Sequence, residues 1–274
     1  MNELEVHIEA LRRDRSHGAS QLAGRALMIM KYAAGNANCN TKAEFFEYMQ
    51  NIAGKLAEAR PAMVAISNSV EQLMQILLPL ARSEHDVAEV RSFTVQAAAD
   101  LITSIQEAKS HAIQNGADLI HDGALVITCS YSSTVIASLS QATVRGKTFK
   151  VLALESKVGD LSYGEVTASR LARYGIPVQV IPDRQVEKGF PGVGLVLLGA
   201  DAVLNDGSVI NGYPSLFLAS AVVENSPPLP VYIICETTKF YPGRELVPVE
   251  AGFEIIPARL ITAIVTEKGQ HQPI

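Results

Sequence analysis

Residues 124–134 read ALVITCSYSST. The first six, from Ala124 to Cys129, form an apolar run of the length expected for a strand buried on both faces. Four hydroxyls follow at once, on Ser130, Ser132, Ser133 and Thr134. They fall where the chain must turn and start a helix, which Ser132 or Ser133 would cap. A strand that delivers hydrogen-bonding groups to a helix N-terminus is a place to hold an anion such as phosphate.

Downstream the same rhythm repeats. Short apolar segments occur at FKVLAL (149–154), PVQVI (177–181), GLVLLG (194–199) and PVYIIC (230–235). Amphipathic stretches separate them: TVIASLSQATVRGK (134–147), YGEVTASRLARYG (163–175) and SLFLASAVVENSP (215–227). Alternation of this kind predicts a doubly wound, mainly parallel sheet covered by helices. Residues 255–268 could supply an edge strand.

Upstream, residues 1 to about 115 read as helices. Leu4, Ile8 and Leu11, then Leu22, Leu27, Ile29 and Met30, recur at helical spacing. Gly35 and the asparagines after it mark a stop, and Thr41 can cap the helix that follows. Arg60-Pro61 suggests a new helix start, because proline fits a first turn. Residues 83–86 make a break. Residues 87–113 contain few breakers and predict one long helix, ended at Asn115-Gly116 by a left-handed cap.

Composition narrows the function classes. Hydrophobic residues make up 48% and charged residues 19%, so the chain builds a core and is not a disordered one. The net charge is -5 and no long basic run occurs, which argues against direct nucleic-acid binding. The three cysteines, Cys39, Cys129 and Cys235, have no metal-ligand spacing and suit a reducing cytoplasm. The first residues, MNELEVHIEALRRD, lack the apolar core of a signal peptide. Apolar windows are broken before about 18 residues, so no membrane span is expected.

Ligands of doubly wound sheets sit beyond the carboxyl ends of the strands. Here those ends carry Ser130, then Glu155-Ser156-Lys157, Asp183-Arg184, Asp201, and Glu236 with Lys239. Asp201 ends an apolar strand, where partial desolvation would raise its pKa and suit it to acid/base work. A helix cap or turn residue is an equal reading of it. Asn205-Asp206-Gly207 reads as a tight turn, and Asn211 after it could face the same crevice. Arg60, Lys157 and Lys239 also read as ordinary solvated or paired charges. No GxGxxG follows the first strand, no Walker loop is present, and Ser130 lacks a nucleophile elbow and an evident histidine partner. His111 and His121 read as surface or helix-end residues.

Taken in order, TCSYSSTV (128–135), VLALESKVG (151–159), LARYGIPVQVIPD (172–183), LLGADAVLNDGSVIN (197–211) and CETTKFY (235–241) resemble one superfamily. It holds the alpha, beta and delta subunits of eukaryotic translation initiation factor 2B, the archaeal ribose-1,5-bisphosphate isomerase and methylthioribose-1-phosphate isomerase. HGAS (17–20) and EARPAMVAI (58–66) resemble its glycine-alanine and arginine-proline signatures. The resemblance covers roughly residues 14–250. It implies a helical N-terminal domain (1–115) and a Rossmann-like α/β domain (116–274), with a sugar-phosphate-sized cleft between them. It also implies a homodimer, sometimes a hexamer, and allows a translation factor as a partner; a cytoplasmic location, no cofactor and no metal are expected.

Residue by residue, the resemblance assigns ligand binding to Gly18, Ala19, Arg60, Ser130, Ser132, Ser133, Lys157, Asp201 and Asn211. The isomerases' catalytic aspartate matches Asp201. Their cysteine position falls on Ser130, and Cys129 stands one residue earlier. Gly212 replaces the lysine that follows the matched asparagine, and His17 stands where an arginine is frequent. Aldose–ketose isomerisation needs groups that exchange protons near neutral pH. A thiol, with a reference pKa of about 8.5, can do so in a suitable field. A serine hydroxyl cannot without a strong base beside it. Period-two alternation would also aim Cys129 away from the site. The reading is therefore a factor-2B-like protein that binds a phosphorylated sugar or nucleotide with little or no catalysis. It has two rivals: an enzyme, namely an aldose–ketose isomerase (an intramolecular oxidoreductase) acting on a ribose 1-phosphate derivative through Asp201 with Cys129, and an interaction subunit with a vestigial cleft.

Overall fold

The helices come first because the chain opens with apolar residues three and four apart, which a strand would scatter over both faces. In the computed structural model, residues 3–14, 16–188, 191–224, 228–243, 249 and 251–273 are described. They divide into two compact units, residues 1–107 and 108–274.

The N-terminal unit holds α1 (Glu3–Arg13), α2 (Ala19–Gly35), α3 (Lys42–Ala57), α4 (Val64–Leu77) and the first part of α5 (Val87–Asp118). Its core is Ile8, Leu11, Leu22, Leu27, Met30, Phe45, Met49, Ile52, Leu56, Ile66, Leu73 and Leu77, all essentially fully buried. Thr41 caps α3 in a capping box: its hydroxyl accepts from Glu44 N at 3.2 Å, and Glu44 Oε2 accepts from Thr41 N at 3.3 Å. The arginine-proline signature does not open a helix. Residues 58–62 form turns, with Met63 N donating to Arg60 O at 2.9 Å, and α4 starts only at Val64.

The second unit takes the rest of α5 and then alternates: β1 (Leu125–Thr128), α6 (Ser133–Val144), β2 (Lys150–Leu154), β3 (Lys157–Val158), β4 (Leu161–Ser162), α7 (Tyr163–Ala172), β5 (Val178–Ile181), β6 (Leu195–Leu198), β7 (Ala202–Val203), β8 (Val209–Gly212), α8 (Ser215–Val223), β9 (Val231–Ile234), β10 (Phe253–Ile256), β11 (Ala263–Thr266) and β12 (Gly269–His271). The main sheet runs β12-β11-β9-β6-β1-β2-β5, parallel throughout except for the edge pair β11–β12. The mainly parallel sheet agrees with the alternation in the sequence. The expected C-terminal edge strand is a hairpin, β11–β12. The last three residues of the crossover segment 215–227 lie outside the described residues.

Alternation along β1 and β6 splits the core into two layers. Val126, Leu195 and Leu197 pack with α6 residues such as Val135 and Leu139. Ile127, Cys129, Val196 and Leu198 pack on the other face with α8 residues such as Leu218 and Val222. Cys129 therefore points into apolar core.

Two further elements depart from expectation. Helix α5 runs on through Gly116 to Asp118. That glycine is there for close packing, not for a left-handed turn. A Cβ on it would stand 2.6 Å from Ser138 Oγ and 2.7 Å from Ile234 Cδ1. A second, antiparallel sheet, β10-β8-β7, breaks the alternating pattern after β6. Its strands β7 and β8 are joined by the expected turn, with Gly207 at φ +76°.

Candidate functional site

The sheet order fixes where a site can form. From β1 the chain winds outward to β2 and β5, then returns to the other side of β1 with β6. The switch point lies between the carboxyl ends of β1 and β6, where doubly wound folds bind ligands. Gly199, just past β6, and Ser132, just past β1, meet there. A Cβ on Gly199 would lie 2.5 Å from Ser132 Oγ and 3.8 Å from Asn211 Oδ1.

The strand tips are tied together laterally. Ser130 takes a left-handed backbone (φ +59°), as does Ser156 at the end of β2 (φ +48°). Such a conformation costs a non-glycine residue roughly 1–2 kcal/mol, and here hydrogen bonds hold it. Ser130 N donates to Ser156 Oγ at 2.8 Å, and Thr167 Oγ1 donates to Ser130 O at 3.2 Å. Ser156 N in turn donates to Asp183 Oδ1, at the end of β5, at 2.8 Å. Three adjacent tips thus form one hydrogen-bonded row. The Ser130 side chain rests over Gly212, where an added Cβ would stand 3.1 Å from Ser130 Cβ and closer still to its hydroxyl.

On the other side of the switch point lie charges. Glu236 and Lys239, past β9, are 0% and 4% exposed and pair at 3.3 Å. Thr134 Oγ1, in the first turn of α6, donates to Glu236 Oε1 at 3.4 Å. Burial works against the Lys239 ammonium, but Glu236 and Asp201 beside it raise its pKa above the ordinary value. Lys109, from α5, donates from Nζ to Ser133 Oγ at 3.0 Å. Burial pulls its pKa down, and the nearby Glu236 opposes the shift. Asp201 is half-buried, its backbone N donating to Ile210 O at 2.8 Å.

The structure thus brings Ser130, Ser132, Ser133, Asp201 and Asn211 to one end of the sheet. Ser132 caps α6, accepting from Val135 N at 3.3 Å. Asn211 is 4% exposed, and its Nδ2 has no hydrogen-bond partner among the described residues. Lys157 is exposed on the β3–β4 hairpin. Cys129 is 2% exposed, and burial pushes its thiol well above the ordinary range, with Glu254 and Asp183 adding to the shift. Cys235 is likewise pushed up to about 12 by burial. Sequence reading did not single out Lys109, because a lysine within a long polar helix carries no local signal of what it faces.

A cavity of about 600 Å³ opens at the opposite, amino ends of β1, β2 and β5. Leu125, Phe149 and Ile176 line it, and its Lys147 amine is already donating to Ala117 O at 2.9 Å. Thr143, Thr148 and Lys150 line it as well, with no carboxylate or histidine among them.

In the N-terminal unit, Gly18 is the N-cap of α2 and Ala19 its first residue. Gly18 O accepts from Gln21 N and Leu22 N, at 3.0 and 3.1 Å. Arg60 is 2% exposed and donates from Nη1 to Asp14 O at 2.5 Å. The Asp14 carboxylate accepts from Ser16 N, Ser16 Oγ and His17 N, and pairs with His17 and Arg25. Burial would raise its pKa, but these hydrogen bonds and the His17 charge hold it well below the ordinary 3.8. A depressed carboxyl stabilises the fold above its unfolded pKa and loses that contribution as pH falls. The N-terminal unit should therefore weaken as pH drops below about 4. Asp14→Asn should cost roughly 1.5–3 kcal/mol at neutral pH and flatten that dependence in urea titrations.

The model of the initiation factor 2 subunit family matches residues 15–249. The chain belongs to that family. Among curated relatives, ribose 1,5-bisphosphate isomerase of Haloferax volcanii is 27% identical, over 93% of this chain and 84% of its own length. A putative translation initiation factor eIF-2B subunit 2-like protein of Pyrococcus furiosus is 31% identical, over 78% of each. Among solved structures, translation initiation factor eIF-2B of Pyrococcus horikoshii OT3 superposes with a TM-score of 0.86 at 26% identity, covering 100% of this chain and 98% of that one. The tetrameric eIF2B-beta2-delta2 complex of C. thermophilum shares the fold, with a TM-score of 0.84 at 20% identity over 98% and 90%. The family thus joins proteins named as enzymes and proteins named as translation factors, so membership alone does not fix the chemistry. Among the described residues no helix is long and apolar enough to cross a membrane, and no cluster of potential metal ligands occurs.

Proposed function

We propose that this chain binds a phosphorylated sugar or nucleotide at the strand tips of its C-terminal unit, with little or no turnover. The reading rests on one observation above all. Ser130 stands at the tip over Gly212, whereas the Cys129 thiol is turned into the apolar core. A hydroxyl in that place accepts and donates hydrogen bonds but does not ionise near neutral pH. Ser132, Ser133 and the first turn of α6 would take phosphate, and Asp201 and Asn211 would take sugar hydroxyls. Lys157, on the β3–β4 hairpin of the same unit, would carry a further ligand contact that the family resemblance assigns. The chain would act as a cytoplasmic homodimer, in keeping with assemblies such as the tetrameric complex among its structural neighbours.

Isothermal calorimetry with ribose phosphates and nucleoside monophosphates tests this. Binding is expected at or below millimolar ligand, with Asp201→Ala weakening it at least tenfold, about 1.4 kcal/mol. Binding absent at millimolar ligand, or indifferent to Asp201→Ala, overturns the proposal. The relatives named ribose 1,5-bisphosphate isomerase favour a second reading, an aldose–ketose isomerase. Product formation followed by NMR separates the two. Turnover that Cys129→Ser abolishes would put the isomerase first.

A further inference from the structure

The cavity of about 600 Å³ at the amino ends of β1, β2 and β5 lies wholly within the C-terminal unit, away from the strand tips described above. Its volume is that of a small-molecule pocket, which runs from about 300 to about 1,000 Å³. Tight turns keep it open. Gly123 and Gly175 line it with left-handed backbones, φ +76° and +71°, and a Cβ on either would meet nothing within 4 Å. Leu125, Phe149, Ile176 and Pro177 give it apolar walls. Thr143 of α6 borders it with a hydroxyl already donating to Leu139 O at 3.3 Å.

Its charge is of one sign. Lys147 and Lys150 line it, and no acidic side chain does. An ammonium carries three donors. Lys147 Nζ uses one on Ala117 O at 2.9 Å, and no side-chain hydrogen bond or ion pair engages Lys150 among the described residues. The neighbouring acids are matched elsewhere: Asp118 pairs with Arg145, and Asp122 accepts from Thr148 N and Oγ1, both at 2.8 Å. Backbone amides offer an anion little here. Those of Gly123, Ala124, Lys150 and Ile176 already donate, to Thr148 O, His121 O, Ala124 O and Leu171 O. A phosphate dianion calls for a row of free amides or an arginine fork. Two lysine heads beside apolar walls suit one negative charge on an apolar body instead.

We propose that this cavity binds a small organic carboxylate with an apolar, ring-sized body, the carboxylate against Lys150 and Lys147 and the body against Leu125, Phe149 and Ile176. Charge complementarity selects the acid end, and the walls select the rest. The site is separate from the sugar-phosphate reading and does not rest on it.

Calorimetry of the full chain with naphthoate, and with naphthalenemethanol as its uncharged counterpart, tests this. Naphthoate should bind at or below millimolar concentration, and the alcohol at least tenfold more weakly. Lys150→Gln should weaken naphthoate about threefold to fivefold, the scale of an exposed ion pair, and Lys150→Arg should stay within about twofold of the parent. Thr143→Phe, which fills the cavity, should abolish binding. Saturating ribose 5-phosphate should leave naphthoate binding unchanged. Naphthoate that fails to bind at millimolar concentration, or binds no better than the alcohol, overturns the proposal. So does binding untouched by both Lys150→Gln and Thr143→Phe, or displaced by ribose 5-phosphate, since the probe would then sit elsewhere. Binding that vanishes as the chain self-associates also overturns it, because a second copy would then be what covers the cavity.

Discussion

Gly164→Ala is expected to destabilise the C-terminal unit by about 3 kcal/mol or more, at the upper end of what a small-to-large change in a packed site costs. Gly164 is buried in the first turn of α7, against the end of β2. A Cβ there would collide with the carbonyl oxygen of Leu154 and stand 2.9 Å from its carbon and 3.0 Å from Glu155 Cα. All three are backbone atoms at the end of β2, a strand that pairs with β1 and β5 along its length. They cannot swing aside as a side chain would. Gly164 N also donates to Glu155 O at 3.0 Å, so retreat of α7 breaks a hydrogen bond. Glu155 precedes Ser156, and any shift passes to Ser130 through the hydrogen bond between them. Urea unfolding of Gly164→Ala should show the loss of stability. A midpoint equal to the parent's would mean that α7 is not seated this closely.

Lys239→Met should cost about 3–5 kcal/mol, the penalty for removing one partner of a buried ion pair. It would leave the Glu236 carboxylate, 0% exposed, without its ammonium partner at 3.3 Å. The lysine, left by Glu236→Gln, suffers the converse fate. The double variant Glu236→Gln/Lys239→Met should recover most of the loss, since matched neutral groups need no counter-charge. A double-mutant cycle in urea measures the coupling directly. Additive losses would show that the two residues act independently.

Much of this architecture can be read from local patterns. The parallel strands declare themselves as short apolar runs between amphipathic segments, and the helical start as a spacing of three and four. Even the direction of Cys129 follows from strict alternation through Ile127. The sheet β10-β8-β7 does not, because β10 meets β8 from some forty residues downstream, and no local pattern records that pairing. Asn115-Gly116 misleads for a related reason. The glycine answers to Ser138 and Ile234, which approach it from other elements. At the candidate site, the serines and Asp201 can be found from strand ends alone. The left-handed turn at Ser130 and the reach of Lys109 cannot, since both are set by tertiary contacts: Ser156 and Thr167 for one, α6 for the other.

The place of β1 has a bearing on how the molecule is made. Its neighbours on the sheet are β2, soon after it in the chain, and β6, where Val126 meets Leu195. A ribosome releasing this polypeptide in order would let β1, β2 and β5 associate early, with one flank of β1 still bare. The carboxyl end of the sheet at the switch point can close only after β6 and then β9 have emerged, so the nascent protein passes through a stage with an open apolar strand edge. The interval between those two events is when this chain is most exposed to mispairing.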